Sequence, residues 1–396
     1  MDPHSDIHAS HLERVVARRL ISTKTGLEVY VKKIHGTTRI THKVGLSDAH
    51  ITYCCRVFLC SCRSRLIFGA ASLGDVYGDL SQAEKNAAVE HAFAHGINTF
   101  DTSAFYGGGR SETYLGIALK ALPRSQITVC TKAGRTASVS GSGSGGGFDF
   151  SASGVEECVK GSLQRLGLSS VDGLILHDIE FGPLSVIQED ALPYLEHLKA
   201  TGICKAIGVS AYPHGLLKKV ILDQFDSKHP LDYVISYNHC TIQNDTVGRL
   251  IQDIKHTDCA VLEASPLALG YLADGPTQAW LPLPKQMLRV KQSACELANI
   301  YGTRLSTIAC EYHLQASNRR GVAASIMGAK TITEWNDVLE AYSHPSVTRQ
   351  LLAQHIRDEF ARLLHHGGRR DEEWNNHSGL PLHYEYEGHD GWVEDE

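Results

Sequence analysis

From Arg65 onward, eight short runs of β-branched and apolar residues alternate with longer stretches whose apolar positions recur at helical spacing. The short runs are RLIFGA, INTFD, ITVCTKAG, VDGLILHDI, CKAIGVS, LDYVISYN, CAVLEASPL and VAASIMG. Between and after them lie SQAEKNAAVEHAFAHG, SETYLGIALKAL, GVEECVKGSLQRLG, DALPYLEHLKATG, HGLLKKVILDQF, TVGRLIQDIKH, two helical segments from Lys285 to Ser317, and a last helix around FARLLHH. Apolar runs of this length read as strands buried on both faces, and helices alternating with such strands imply a parallel sheet. About eight β-then-α repeats predict an α/β fold of the (β/α)8 TIM barrel kind, with an open doubly wound sheet as the runner-up.

Length and composition narrow the partners. At 396 residues and 42% hydrophobic, the chain can bury a full core. A net charge of −6 is spread along it, and no Lys/Arg cluster interleaves with aromatics, so a nucleic-acid surface is not expected. No stretch approaches the roughly 18 apolar residues of a membrane helix, and MDPHSDIHASHLERVVARRL lacks a signal-peptide core. These features predict a soluble cytoplasmic protein with a small-molecule partner; oligomeric state leaves no signature. Of eleven cysteines, seven sit singly in apolar segments (Cys130, Cys158, Cys204, Cys240, Cys259, Cys295 and Cys310) and read as reduced packing residues.

In a barrel, catalytic groups gather at the C-terminal ends of the strands. Read there, the chain offers Asp101 with Tyr106 in the following loop, Lys132 ending ITVCTK, His177 and Asp178 ending GLILHD, Ser210 ending AIGVS, and Ser265 after VLEA. Each has an ordinary explanation: a loop tyrosine packs, a strand-end lysine is solvated, and His-Asp caps a turn. Together they suit proton transfer coupled to hydride transfer. A phenol with a reference pKa of about 10 needs a neighbouring ammonium to act as a base, and Lys132 is expected to lower Tyr106 for that purpose. Asp101 would hold Lys132 charged, and His177 would orient a substrate oxygen.

The segments FDTSAFYGGGRSE, TKAGR, LILHDIEFG, AIGVSAY, EASPLALG and IMGAKTITEW resemble, in order, the signatures of the aldo-keto reductase family over about Gly69 to Ala341. The resemblance implies a barrel that binds a nicotinamide cofactor across its mouth, with a catalytic tetrad of Asp101, Tyr106, Lys132 and His177. HDIEFG, SYNHCTIQND and ASPLALGYLADGPTQAW look closest to the L-galactose dehydrogenase and D-arabinose 1-dehydrogenase group, which implies oxidation of an aldose at its anomeric carbon to a lactone with NAD. Carried over by position, Ser210 lies near the carboxamide, Ser265, Leu267 and Gly270 along the pyrophosphate, and Gly328, Lys330 and Glu334 around the adenosine end. Glu334 stands where NADP-dependent members usually carry arginine, which favours NAD; Lys330 keeps NADP open as a phosphate partner. Three positions depart from the pattern: Ala211, Val338, and the absence of a glutamine in YVISYNHC. An NADP-dependent reductase of another aldehyde or ketone, and a non-catalytic nicotinamide-binding barrel similar to the potassium-channel β subunits, are the rival expectations.

Other signals carry less. GSGSGGG contains a formal G-x-G-x-x-G at Gly141, Gly143 and Gly146, but it opens no helix and reads as a flexible loop above the pocket. CCRVFLCSC matches no common zinc spacing, and no metal site is expected. Deleting 30–63 would join TGLEV directly to SRLIFGAASLG, so that segment reads as an insertion foreign to the fold, such as translated intron. The expected division is a disordered N-terminus over 1–17, a hairpin over 18–29 at the barrel bottom, the insertion over 30–63, the barrel over 64–365 and an acidic tail over 366–396.

Overall fold

All eight apolar runs become strands of one closed parallel barrel in the computed structural model, which describes residues 31–34, 37–40, 65–136, 147–278, 281, 283 and 285–365. The chain falls into two units, Met1–Thr52 and Tyr53–Glu396. In the first, β1 (Val31–Ile34) pairs antiparallel with β2 (Thr37–Ile40), setting Val31 opposite Ile40 and Ile34 opposite Thr37. This hairpin lies inside the segment assigned to an insertion. Its β-branched residues suit strands, although the segment shows little periodicity. The expectations for 1–17, 18–29, the remainder of 30–63 and 366–396 fall outside the described residues, as does most of the Gly/Ser-rich loop.

The second unit holds the barrel. Its strands are β3 (Leu66–Gly69), β4 (Thr99–Asp101), β5 (Thr128–Ala133), β6 (Gly173–Leu176), β7 (Ala206–Ser210), β8 (Tyr233–Tyr237), β9 (Ala260–Ala264) and β10 (Ala324–Met327). They follow chain order around the barrel, and β10 closes against β3 with Ile326 opposite Ile67. Alternate residues of a strand face opposite sides, so each apolar run divides into two cores. Ile67, Cys130, Ile175, Tyr233, Ile235, Leu262 and Ile326 fill the interior. Leu66, Phe68, Phe100, Val129, Leu174, Val209 and Val234 face the surrounding helices, where Trp335 stacks on Phe68 at 4.9 Å between ring centroids.

The helices that cover the barrel begin and end on local chemistry. Ser81 caps α1 (Gln82–Ala94): the Glu84 amide donates to its hydroxyl at 3.3 Å, while its own amide donates to the Glu84 carboxylate at 2.9 Å. The next helix, α2 (Arg110–Leu119), follows the Tyr106 loop; α3 (Ala152–Leu166) is capped by Ser151 and stops at Gly167, whose φ of 66° suits glycine. Around the rest of the barrel run α4 (Leu192–Ala200), α5 (His214–Asp226), α6 (Val247–Ile254), α7 (Lys285–Ile300), α8 (Leu305–Arg320), α9 (Ile332–Ser343) and α10 (Val347–His365). Of the seven cysteines in the second unit's apolar segments, six are buried and Cys295 is half-buried.

Inside the barrel the tightest point is Gly208 on β7. A Cβ there would stand 1.8 Å from the Tyr233 carbonyl oxygen, a backbone atom fixed by the β7–β8 ladder. Gly208→Ala is therefore expected to lower stability by about 3 kcal/mol, the cost of overpacking a closed core, read as a fall in urea midpoint with an unchanged slope.

Candidate active site

The two-residue period that fills the barrel also builds its mouth. Continuing each inward-facing register by two residues brings Asp101, Lys132, His177, Ser210 and Tyr237 to the C-terminal ends of β4 to β8. Lys132 Nζ donates to Asp101 Oδ2 at 2.6 Å and to the Thr102 carbonyl at 2.9 Å, with both charged side chains almost wholly buried. Burial alone would discharge the pair; at this distance the carboxylate, with Tyr106 adding to it, holds the ammonium protonated well above the usual lysine range. On the outward face of the same strand, Thr131 donates to the buried Glu112 carboxylate at 2.5 Å, and Arg165 Nε donates to its other oxygen at 2.7 Å. These bonds tie β5 to α2 and α3 directly behind Lys132.

Tyr106 reaches the mouth through a glycine turn. Gly107, Gly108 and Gly109 have φ of 60°, 69° and 84°, and a Cβ on Gly107 would stand 2.2 Å from the Gly74 carbonyl oxygen. Only glycine permits both the left-handed backbone and that approach. The Lys132 ammonium sits over the Tyr106 ring, 4.7 Å from its centroid. The expected lowering of the phenol by Lys132 is present but does not prevail. Burial pushes Tyr106 up, Lys132 opposes it, and the charges of Asp101 and Asp178 add to the rise. Tyr77, in the loop after β3, is half-buried, and its phenol is pushed up to about 12, first by desolvation and then by the charge of Tyr106.

His177 meets the Tyr106 ring edge-on, with centroids 5.5 Å apart at 89°. Burial holds its imidazole down to about 3, outweighing Asp178, while Lys132 and Arg135 press the same way; it is neutral at ordinary pH. Its Nδ1 lies 3.0 Å from the Ser103 hydroxyl, which already accepts from the Phe105 amide at 3.1 Å. With one Ser103 lone pair taken by that amide, the hydroxyl is placed to donate to Nδ1 in the tautomer that carries its proton on Nε2. Nε2 lies 3.6 Å from Asp178 Oδ2, and that carboxylate forms an ion pair with Arg135. Ser103 and Arg135 were missed in the sequence because neither ends a strand; Tyr237 was missed although the strand period alone places it inward.

The residues assigned to a cofactor form a second group, at the ends of β7, β9 and β10. Ser210 accepts from the Asp178 amide at 3.1 Å. Ser265, Ala268 and Leu269 hold positive φ (62°, 49° and 57°), and the Leu269 amide donates to Ser265 Oγ at 2.9 Å. Such backbone strain at non-glycine residues is characteristic of sites. Within this turn the Leu267 carbonyl accepts the amides of Gly270 and Leu272. A Cβ on Gly328 would meet nothing within 4 Å, and one on Gly270 would meet only the Tyr77 ring edge at 4.0 Å. Bare backbone beside open space at both positions fits an extended dinucleotide. Lys330 Nζ donates to the Tyr77 carbonyl at 2.5 Å, and its amide donates to Glu334 Oε2 at 2.7 Å. Ala211 and Val338, two of the departures from the expected pattern, are buried in the core.

A closed parallel barrel whose mouth gathers a buried lysine–carboxylate pair, a tyrosine and a neutral imidazole defines a class of enzymes that move a proton and a hydride together. The chain belongs to the Aldo/keto reductase family, whose model matches residues 65–354, and is an NAD(P)-dependent oxidoreductase. It is similar to the L-galactose dehydrogenase of Arabidopsis thaliana, with 35% identity over 271 residues covering 67% of this chain and 80% of that protein. It is also similar to the D-arabinose 1-dehydrogenase of Saccharomyces cerevisiae, with 29% identity over 291 residues covering 70% and 83%. A solved aldo-keto reductase from Bacillus halodurans shares the fold, with a TM-score of 0.57 at 21% identity over 74% of this chain and 92% of that one. Among the described residues, no helix is long and apolar enough to cross a membrane, and no group of three or more His, Cys, Asp or Glu is placed to hold a metal.

Proposed function

We propose that the protein is an NAD-preferring aldose 1-dehydrogenase, oxidising the anomeric carbon of a sugar such as L-galactose or D-arabinose to the lactone. The observation that carries the substrate class is the likeness to two proteins named for that reaction. Preference for NAD rests on Glu334: a carboxylate at that corner repels a 2′-phosphate, and Lys330, the nearest cation by sequence, is engaged with Tyr77. NADP would need Lys330 to leave that carbonyl.

Ser210, Ser265, Leu267, Gly270, Gly328, Lys330 and Glu334 are the residues that would hold the dinucleotide, which supplies the hydride acceptor when bound. The chain's own residues manage the proton. Tyr106 accepts the hydrogen of the anomeric hydroxyl as C1 is oxidised, and Lys132 stabilises the phenolate that this requires. Asp101 keeps Lys132 charged and aimed. Neutral His177, with its proton on Nε2, donates to the sugar oxygen and fixes its direction.

Because burial raises Tyr106, the phenol is protonated at neutral pH and must lose that proton before it can act as a base. The kcat/KM for aldose oxidation is therefore expected to climb with pH from 7 towards 10, while aldehyde reduction, which uses the protonated phenol, stays level through neutrality. No inflection from His177 is expected between pH 5 and 8, since burial holds it near 3. Paired pH–rate profiles in the two directions check both points.

The same raised phenol favours a second function, reduction of another aldehyde or ketone with Tyr106 as the acid. Initial rates with L-galactose, D-arabinose and L-fucose against a set of plain aldehydes, each with NAD(H) and NADP(H), separate the two. Oxidation of at least one aldose with NAD is expected; turnover of none would remove the aldose assignment. NADH binding without turnover of any substrate would instead mark a non-catalytic barrel.

A further inference from the structure

We propose that Arg135, Asp178 and Glu180 form the subsite that reads the hydroxyls of the aldose beside His177, an inference that rests on the aldose assignment above. All three residues follow the ends of β5 and β6, on the flank of the mouth next to His177. Arg135 closes an ion pair with Asp178, whose carboxylate lies 3.6 Å from His177 Nε2. The guanidinium carbon sits 3.6 Å from the Phe105 ring centroid, 5.1 Å from that of Phe148 and 6.0 Å from that of Phe181. A planar cation walled by aromatic faces is held in place by stacking as well as by its Nη1 bond to Asp178, which leaves its Nε–H to face a ligand.

Those walls are themselves fixed. The Phe150 ring packs against both Gly134 and Gly182, where a Cβ would stand 2.4 Å and 2.3 Å from it, and Phe148 stacks on Phe181 at 4.9 Å. The loops after β5 and β6 are thus locked to each other around Arg135. Asp178 holds a left-handed backbone with φ of 54°, which is unfavourable for a residue other than glycine and turns its carboxylate back toward the imidazole.

Two buried polar atoms in this cluster have no partner: Arg135 Nε and Glu180 Oε2. The other Glu180 oxygen accepts from the Tyr212 amide at 3.0 Å, so the side chain is anchored at one atom while the second is unused. Buried hydrogen-bonding atoms are rarely left unpaired in folded proteins, and each one that is needs a partner from water or from a bound ligand. An Arg–Asp pair that served only to brace His177 would need no buried acid next to it. Burial, with Asp178 adding to it, pushes Glu180 up to about 8. A neutral carboxyl at Oε2 and an N–H at Arg135 Nε give a donor set with acceptor capacity alongside, and the phenyl faces suit the C–H side of a sugar ring. Vicinal hydroxyls, each both donor and acceptor, match that set; a plain aldehyde does not.

Steady-state kinetics on Arg135→Met and Glu180→Ala, measured with an aldose and NAD and with 4-nitrobenzaldehyde and NADH, tests the proposal. The KM for the aldose is expected to rise at least about tenfold more than the KM for the aldehyde in each variant. An independent arm uses the wild type with monodeoxy analogues of the same sugar, where removing the hydroxyl read by this cluster should cost about tenfold in kcat/KM. Equal losses on sugar and aldehyde, or equal rates for every deoxy analogue, would overturn the subsite while leaving the aldose assignment standing. Wild-type protein that reduces the aldehyde but oxidises no aldose would overturn that assignment and the subsite with it.

Discussion

Tyr106→Phe is expected to reduce kcat/KM by about 10²–10⁴-fold in both directions, the usual worth of a positioned acid–base group, with NADH binding nearly unchanged. The ring contributes packing that phenylalanine keeps: it meets His177 edge-on at 5.5 Å and Phe105 at 6.4 Å. Only the hydroxyl is lost, and the Lys132 ammonium retains Asp101 and the Thr102 carbonyl. Stability should therefore change by about 1 kcal/mol. Rapid-mixing single turnovers, with NADH fluorescence titration on the same preparation, separate chemistry from binding. If turnover survived, the proton would pass through another group. Tyr77, whose phenol feels the charge of Tyr106, would be the first to examine by the same substitution.

The barrel was readable in the sequence because its strands are buried on both faces and so appear as short apolar runs set between helical stretches. That Asp101, Tyr106, Lys132 and His177 gather at one mouth was readable because strand ends are where a barrel presents side chains. What could not be read depends on contacts distant in sequence. Arg135 joins the site through its pair with Asp178 and its stacking on Phe105, and Ser103 meets His177 Nδ1 while accepting the Phe105 amide. The state of Tyr106 was misjudged for a related reason. The sequence places an ammonium nearby, but how much water is excluded decides which influence prevails, and here burial outweighs the charge. Glu334 similarly carries the expected acid, but one of its oxygens already accepts the Lys330 amide. The hairpin of β1 and β2 was concealed because an alternation this short is not distinguishable from chance.

Asp101 and Lys132 allow catalysis and stability to be separated. Asp101→Asn leaves a buried ammonium facing a neutral amide, and removing one partner of a buried ion pair costs about 3–5 kcal/mol. It should also abolish most of the turnover, because Asp101 is the main influence that keeps Lys132 protonated against burial. With that charge weakened, the Tyr106 phenolate loses the support of Lys132, an effect opposed by removal of the Asp101 charge that itself raises Tyr106, and the pH–rate profile of aldose oxidation reads the balance. Lys132→Met alone removes the cation and strands the carboxylate, so it is expected to be similarly unstable and inactive. In the double variant Asp101→Asn/Lys132→Met neither charge remains to be desolvated, and much of the lost stability should return while turnover does not. Urea unfolding of all four proteins gives the coupling, expected to be several kcal/mol for a pair in contact at 2.6 Å. Strictly additive stability losses would show that the two ions do not sustain each other, and the restored fold without restored activity is what distinguishes a buried pair kept for chemistry from one kept for structure.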